Sequence, residues 1–133
     1  MPWINLNQPT TLERIIGGIC YLTFGLAGIL YTVLGGSGAH SPFFRFHFLQ
    51  SIVLSILGVI LSWASSALIT VLSTIFSWVA PQAGNEISSI VSWAISIIFQ
   101  AGGLLLIYGM IWSFLGKYAE IPFVSNIVRQ QMR

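Results

Sequence analysis

Long runs of apolar residues, separated by short polar segments, dominate the pattern along this chain. Charged residues are absent from three blocks of 30, 40 and 30 residues, which are 15–44, 46–85 and 87–116. A helix of about 20 apolar residues crosses the hydrocarbon core of a bilayer. Each block is long enough for that, and the pattern predicts three long transmembrane helices at about 12–34, 46–80 and 87–116.

Capping and turn residues mark the ends of these predicted helices. Thr10 and Glu13 have the spacing of a capping box, which predicts that the first helix begins there. The glycine-rich residues 35–42 and residues 81–85 predict turns. The second block contains no helix breaker, so it forms either one helix longer than the bilayer or a tight two-span hairpin. Its continuous stripe of hydroxyl residues favours one helix.

These elements predict an all-α integral membrane bundle of three long transmembrane helices, with four spans as the alternative. Residues 1–133 form a single transmembrane domain, which ends in a juxtamembrane tail at 117–133. In the three-span arrangement, Arg14 lies on one side of the membrane and all other basic residues lie on the opposite side. Because basic residues favour the cytoplasmic side, the C-terminus is predicted to be cytoplasmic or stromal. The basic residues on that side are Arg45, Lys117, Arg129 and Arg133.

Small and hydroxyl-bearing residues recur at helical spacing on all three predicted helices. In lipid, small residues allow helix backbones to approach closely. We therefore expect these stripes to mediate helix packing, and a polar-lined conducting path is the alternative. The predicted packing residues are Gly17, Gly25, Gly28, Ser62, Ser66, Thr70, Ser73, Ser77, Ser89, Ser92, Ser96, Gln100 and Gly103.

Composition supports a membrane protein and argues against several functions. Only 6% of residues are charged and 56% are hydrophobic, whereas about 25% of a soluble domain is charged. The five basic residues are spread along the chain without a patch, so nucleic acid is not an expected partner. No acidic residue lies inside the three uncharged blocks, which argues against ion-coupled transport.

No enzymatic or metal site is predicted from the residues. A zinc or iron site needs three or four suitable ligands, and the chain has one cysteine and two histidines. No cofactor is expected. Ligation of a chlorophyll or haem by His40 or His47 is the alternative, because histidine is a common axial ligand.

Two short segments carry most of the polar chemistry of the chain. Residues 44–51 alternate aromatic with polar residues at a helix start, and residues 115–125 follow the last predicted span. Both segments are predicted to lie at the same membrane face, where Arg45 is expected to meet Glu120, with Lys117 close by. The alternative is that the two segments only anchor the helices at the membrane interface.

The same two segments resemble the Tic20 family, which is known from cyanobacteria and from the plastid inner envelope. Family members carry a Phe-x-Arg-Phe-(His/Asn)-x-x-Gln pattern at the start of a span, matched here by Phe43, Arg45, Phe46, His47 and Gln50. They also carry Gly-(Arg/Lys)-Tyr-Ala-Glu-Ile-Pro after the last span. That run is matched without a gap by Gly116, Lys117, Tyr118, Ala119, Glu120, Ile121 and Pro122.

The resemblance implies a function that the residues alone do not define. Tic20 proteins are described with four spans, and the plastid members are implicated in protein import. The resemblance therefore implies a non-enzymatic component of a protein-translocation or membrane-biogenesis complex in a cyanobacterial plasma or thylakoid membrane or a plastid membrane. Its partners would be the lipid bilayer and other membrane subunits. A small accessory or assembly subunit of a photosynthetic or respiratory complex is the alternative.

Overall fold

A computed structural model describes residues 8–36 and 38–133, and this part of the chain contains helices and no strands. The helices are α1 (Thr11–Leu22), α2 (Leu26–Val33), α3 (Pro42–Val79), α4 (Pro81–Phe114) and α5 (Val124–Gln131). The all-α prediction is therefore confirmed. Two of these helices, α3 and α4, are long and apolar enough to cross a membrane, where the sequence predicted three.

The predicted first span, 12–34, is wrong as a single helix. The chain breaks between α1 and α2, where Phe24 and Gly25 adopt positive φ angles of 55° and 90°. The Thr23 hydroxyl fills the gap in the helical ladder, since it donates to the Ile19 carbonyl and accepts from the Ala27 amide. With 12 and 8 residues, α1 and α2 are about 18 and 12 Å long, too short to cross a bilayer.

The N-terminal boundary of α1 agrees with the sequence prediction. The Thr10 hydroxyl accepts a hydrogen bond from the Glu13 amide at 3.3 Å, and the Glu13 carboxylate accepts one from the Thr10 amide at 3.1 Å. These reciprocal bonds satisfy two amides that the helix itself leaves free. The predicted capping box is confirmed.

Helix α3 is one continuous helix of 38 residues, as the stripe of hydroxyl residues predicted. The predicted turn at 81–85 is wrong, because α4 begins at Pro81 and only Ala80 separates the two helices. Proline suits the first position of a helix, where its missing N–H has no partner to lose. Gly84 then lies close to α3: a Cβ there would be 3.2 Å from the Phe76 Cβ.

The described residues form two compact units. The first contains 8–55 and 104–133, and the second contains 56–103. The core of the first unit has two apolar clusters, one around Phe46 and Val128 and one around Cys20 and Phe44. In the second unit only Ser65 and Gly84 are buried, so its apolar side chains face outward.

The tail after α4 contains a helix, α5, that was not predicted from the sequence. Within 117–133, α5 packs its buried residues Val124, Ser125 and Val128 into the first unit. Val128 belongs to the cluster around Phe46, with Leu49 of α3 against it. The tail is therefore part of the core of the first unit.

Candidate functional site

The two motif segments meet in the first unit through hydrogen bonds from side chains to backbone carbonyls. His47 Nε2 lies 2.9 Å from the Lys117 carbonyl oxygen, and Gln50 Nε2 lies 3.1 Å from that of Ala119. His47 and Gln50 are three residues apart on α3, so they share one helix face. Both side chains are fully buried. The start of α3 therefore holds the chain as it leaves α4.

The hydrogen bonds of His47 define its tautomer. The Lys117 carbonyl can only accept, so Nε2 carries the proton and donates to it. The other ring nitrogen, Nδ1, then accepts from the Tyr21 hydroxyl of α1 at 2.9 Å. Both ring nitrogens are engaged, so pigment or haem ligation by His47 would require one of these bonds to break. His40, the other predicted ligand, is exposed.

Aromatic rings enclose His47 on several sides. The ring centroids of Phe43, Phe46 and Tyr118 lie 4.6, 5.4 and 6.3 Å from that of the imidazole. Burial raises the pKa of the Tyr118 hydroxyl, an effect that nearby Arg129 opposes and Glu13 reinforces. The rings help to bury the imidazole of His47 completely.

Helix α1 also binds the segment that leaves α4. The Arg14 guanidinium donates to the Leu115 carbonyl at 2.9 Å, and the Ser113 hydroxyl donates to the Arg14 carbonyl at 3.0 Å. Gly116 follows with φ +72°, and a Cβ there would lie 2.5 Å from Arg14 Nε. The glycine of the second motif is therefore required both by its backbone conformation and by the approach of Arg14.

The expected contact between Arg45 and Glu120 is wrong. Glu120 forms an ion pair with Arg129 of α5, whereas Arg45 is exposed and has no ion pair among the residues that the structure describes. Lys117 Nζ lies 5.2 Å from the centre of the Trp112 ring, in a cation–π contact. Because α5 was not predicted, the partner of Glu120 was missed.

The Ser125 hydroxyl connects the second motif to α5. It accepts a hydrogen bond from the Ile121 amide at 2.8 Å and donates to the Ala119 carbonyl at 3.2 Å. The Ala119 carbonyl therefore receives hydrogen bonds from both Ser125 and Gln50. Pro122, the last motif residue, is exposed at the entry to α5.

The predicted packing residues of the first helix lie in close contacts of the first unit. A Cβ at Gly17 would lie 2.6 Å from the Ser113 hydroxyl, and Gly25 and Gly28 are similarly close to the side chains of Ile52 and Phe48. These contacts involve helices other than α1 and α2. A larger residue at any of these three glycine positions would collide with a neighbouring side chain.

The predicted packing residues of the second unit mostly face outward. Ser73, Ser96 and Gly103 are partly exposed, and the exposed members are Ser62, Ser66, Thr70, Ser77, Ser89, Ser92 and Gln100. The hydroxyls that form hydrogen bonds donate to carbonyls of their own helix, as Thr70 does to Ser66. In the described ranges no side-chain hydrogen bond joins α3 to α4. Their role in helix packing stays a prediction.

Comparison with models of known protein families, with curated proteins and with solved structures finds no match for this chain. Within 8–36 and 38–133, no group of three or more His, Cys, Asp or Glu side chains is placed to hold a metal ion. The site is a junction in which buried polar side chains bind backbone carbonyls. Three of its contributors, Arg14, Tyr21 and Ser113, were not predicted, because nothing in a local motif marks them.

Proposed function

We propose that this chain is a non-enzymatic integral membrane protein that serves in a protein-translocation or membrane-biogenesis complex, as its resemblance to Tic20 proteins implies. The supporting observation is the junction of the two motif segments. His47 and Gln50 of the first segment donate to the carbonyls of Lys117 and Ala119 in the second. The two motif segments are about 70 residues apart but belong to one structural element. This gives a physical reason for both motifs to be present in the same chain.

The surface of α3 and α4 supports a membrane location. Almost no residue in the most apolar stretch of α3, and none in that of α4, is buried by the protein itself. An apolar surface of this extent needs lipid or another protein to cover it. The exposed hydroxyls of Ser66, Thr70 and Ser92 donate to carbonyls of their own helices, so lipid contact leaves these donors satisfied.

The distribution of basic residues supports an orientation with two spans. Because α1 and α2 are too short to cross, Arg14 no longer lies on the side opposite to the other basic residues; it donates to Leu115 at the end of α4. All basic residues of the chain belong to the first unit, and Glu86 is the sole charged residue of the second. By the positive-inside rule, the first unit faces the cytoplasm or stroma.

Glu120 offers a way to test the complex without unfolding the chain. Its ion pair with Arg129 is more than half exposed, and exposed pairs contribute only about 0–1 kcal/mol to stability. A Glu120→Ala variant should therefore fold and yet lose a charged group of the second motif. Glu86→Ala removes an exposed acidic residue outside both motifs and serves as the matched control.

The experiment is gentle solubilisation of the native membrane, isolation of the tagged chain and identification of its neighbours by mass spectrometry. Translocation or insertion factors in a fixed ratio, lost with Glu120→Ala and kept with Glu86→Ala, would support the proposal. Recovery of pigment–protein or electron-transfer subunits would overturn it and favour an accessory subunit. Equal recovery with both variants would exclude a role for Glu120 in assembly.

A further inference from the structure

Phe123 has a strained backbone and an exposed side chain. Its φ and ψ angles are 66° and −48°, and the Val124 amide donates to the Pro122 carbonyl at 2.8 Å. Together these define a γ-turn of the rare kind with positive φ. A bulky residue in such a conformation is unusual and needs a reason. Instead of packing into the core, the ring is 82% exposed.

The residues of α5 are of three kinds: buried, exposed and apolar, and exposed and polar. Val124, Ser125 and Val128 face the first unit. Ile127, which is 44% exposed, and Phe123, just before the helix, are the exposed apolar residues of this segment. The remaining residues are polar and exposed, and they are Asn126, Arg129, Gln130 and Gln131.

The charge of the chain is concentrated in the same region. Residues 117–133 contain Lys117, Arg129 and Arg133 against a single acidic residue, Glu120, and therefore carry the whole formal net charge of +2. Elsewhere two arginines and two glutamates cancel. A segment that combines exposed apolar residues with a net positive charge is complementary to a bilayer surface with anionic headgroups.

We infer that α5 and Phe123 form an interfacial anchor, in which Phe123 and Ile127 insert among the lipids of an anionic bilayer surface. Lipid is a better candidate than a protein partner for covering this segment, because the segment begins nine residues after α4. Helix α4 is one of the two helices long enough to span a membrane, so the segment would lie near the bilayer surface. Arg129 and Lys117 then lie at headgroup level, where their apolar stems and charged ends are both accommodated. The inference rests on the membrane location in the proposed function.

Spin labels placed on two neighbouring residues of α5 test the anchor. The full chain with Ile127→Cys or Asn126→Cys is labelled with a nitroxide and reconstituted in vesicles of phosphatidylcholine and phosphatidylglycerol. The unaltered chain is the labelling blank, since its one cysteine is buried. Collision rates are measured with oxygen, which enters lipid, and with a nickel chelate, which stays in water.

We expect the ratio of oxygen to nickel collisions to be several-fold higher at 127 than at 126. Adding Phe123→Gly, which suits the positive φ, should lower the ratio at 127 while the thermal midpoint in detergent is kept or raised. Equal, nickel-accessible labels at both positions would overturn the anchor. Spin–spin broadening at 127 would overturn it as well, in favour of contact with a second copy. Failure of the chain to enter vesicles would instead refute the membrane location itself.

Discussion

His47 connects three separate parts of the first unit. Its Nδ1 accepts from Tyr21 of α1, and its Nε2 donates to the carbonyl of Lys117, beyond the end of α4. The ring itself belongs to α3 and is fully buried. A buried imidazole with both nitrogens bonded is stable only while both partners stay in place, because an unpaired polar group in the interior is destabilising. His47 is therefore one of the side chains, together with Gln50 and Arg14, on which the junction depends.

Replacing His47 should destabilise the first unit far more than replacing its exposed neighbour. We expect His47→Ala to lower the free energy of unfolding by about 2–4 kcal/mol, because it leaves a cavity and two unpaired groups. Arg45→Ala, two residues away on the same helix and exposed, should change it by less than about 0.5 kcal/mol. Denaturation in detergent micelles, followed by circular dichroism, measures both. Similar losses in the two variants would contradict the role of His47.

At the residue level the sequence predicted which segments meet, but it did not predict how they meet. The polar residues at 44–51 and 115–125 stand out in so apolar a chain. Opposite charges suggested a contact between Arg45 and Glu120. The actual acceptors for His47 and Gln50 are backbone carbonyls, which every residue has. Such partners leave no trace in residue type, so sequence patterns cannot predict them.

Among the helices, α5 is the element on which the second motif depends. The Ser125 hydroxyl bonds to Ile121 and Ala119, and the Glu120 carboxylate pairs with Arg129. The motif thus leads directly into a helix that packs against it. An eight-residue helix is too short to be stable alone, so its stability comes from these contacts and from burial of Val128.

Loss of the Ser125 hydroxyl should loosen α5 selectively. In Ser125→Ala the Ile121 amide loses its acceptor in a buried position, which should lower local stability by about 1–2 kcal/mol. Amides of 124–131 should then exchange with deuterium about tenfold faster, while those of α3 stay unchanged. Asn126→Ala, an exposed neighbour on the same helix, is the control and should exchange like the unaltered chain. Unchanged exchange in Ser125→Ala would show that α5 is held by its apolar face alone.

The helix boundaries could be predicted only where their signals are local. The capping box of α1 and the continuity of α3 were predicted correctly, because capping residues and the helical spacing of hydroxyl residues are visible in the sequence. The break at Phe24 and Gly25 was missed because glycine also fits the interior of a membrane helix. The start of α4 at Pro81 was read as a turn, since proline marks both a turn and the first position of a helix.

At the scale of the whole molecule, the positions of the basic residues and the two long helices support the proposed insertion in a membrane with two spans. All five basic residues belong to the first unit, and Ala80 joins two helices that are each long enough to cross a bilayer. The sequence alone predicted three spans, which divided the basic residues between two sides. Since α1 and α2 are each too short to cross, the same rule is consistent with the single orientation that we propose.

Cysteine labelling tests this orientation directly. In sealed, oriented membrane vesicles, a membrane-impermeant maleimide should label Gln82→Cys from the side opposite to Arg45→Cys and Lys117→Cys. All three positions are exposed in the structure. The unaltered chain is the blank, because its cysteine is buried and should react only after denaturation. Labelling of positions 82 and 117 from the same side would contradict two full spans.

The first unit is discontinuous along the chain, and this has a consequence for synthesis. Its two pieces, 8–55 and 104–133, are separated by the whole of the second unit. A ribosome therefore releases His47 and Gln50 long before the carbonyls of Lys117 and Ala119 exist. A chain that stops before residue 117 lacks both of these acceptors. The side chains that donate to Lys117 and Ala119 in the folded chain would then be buried without partners, and folding of the first unit would be destabilised.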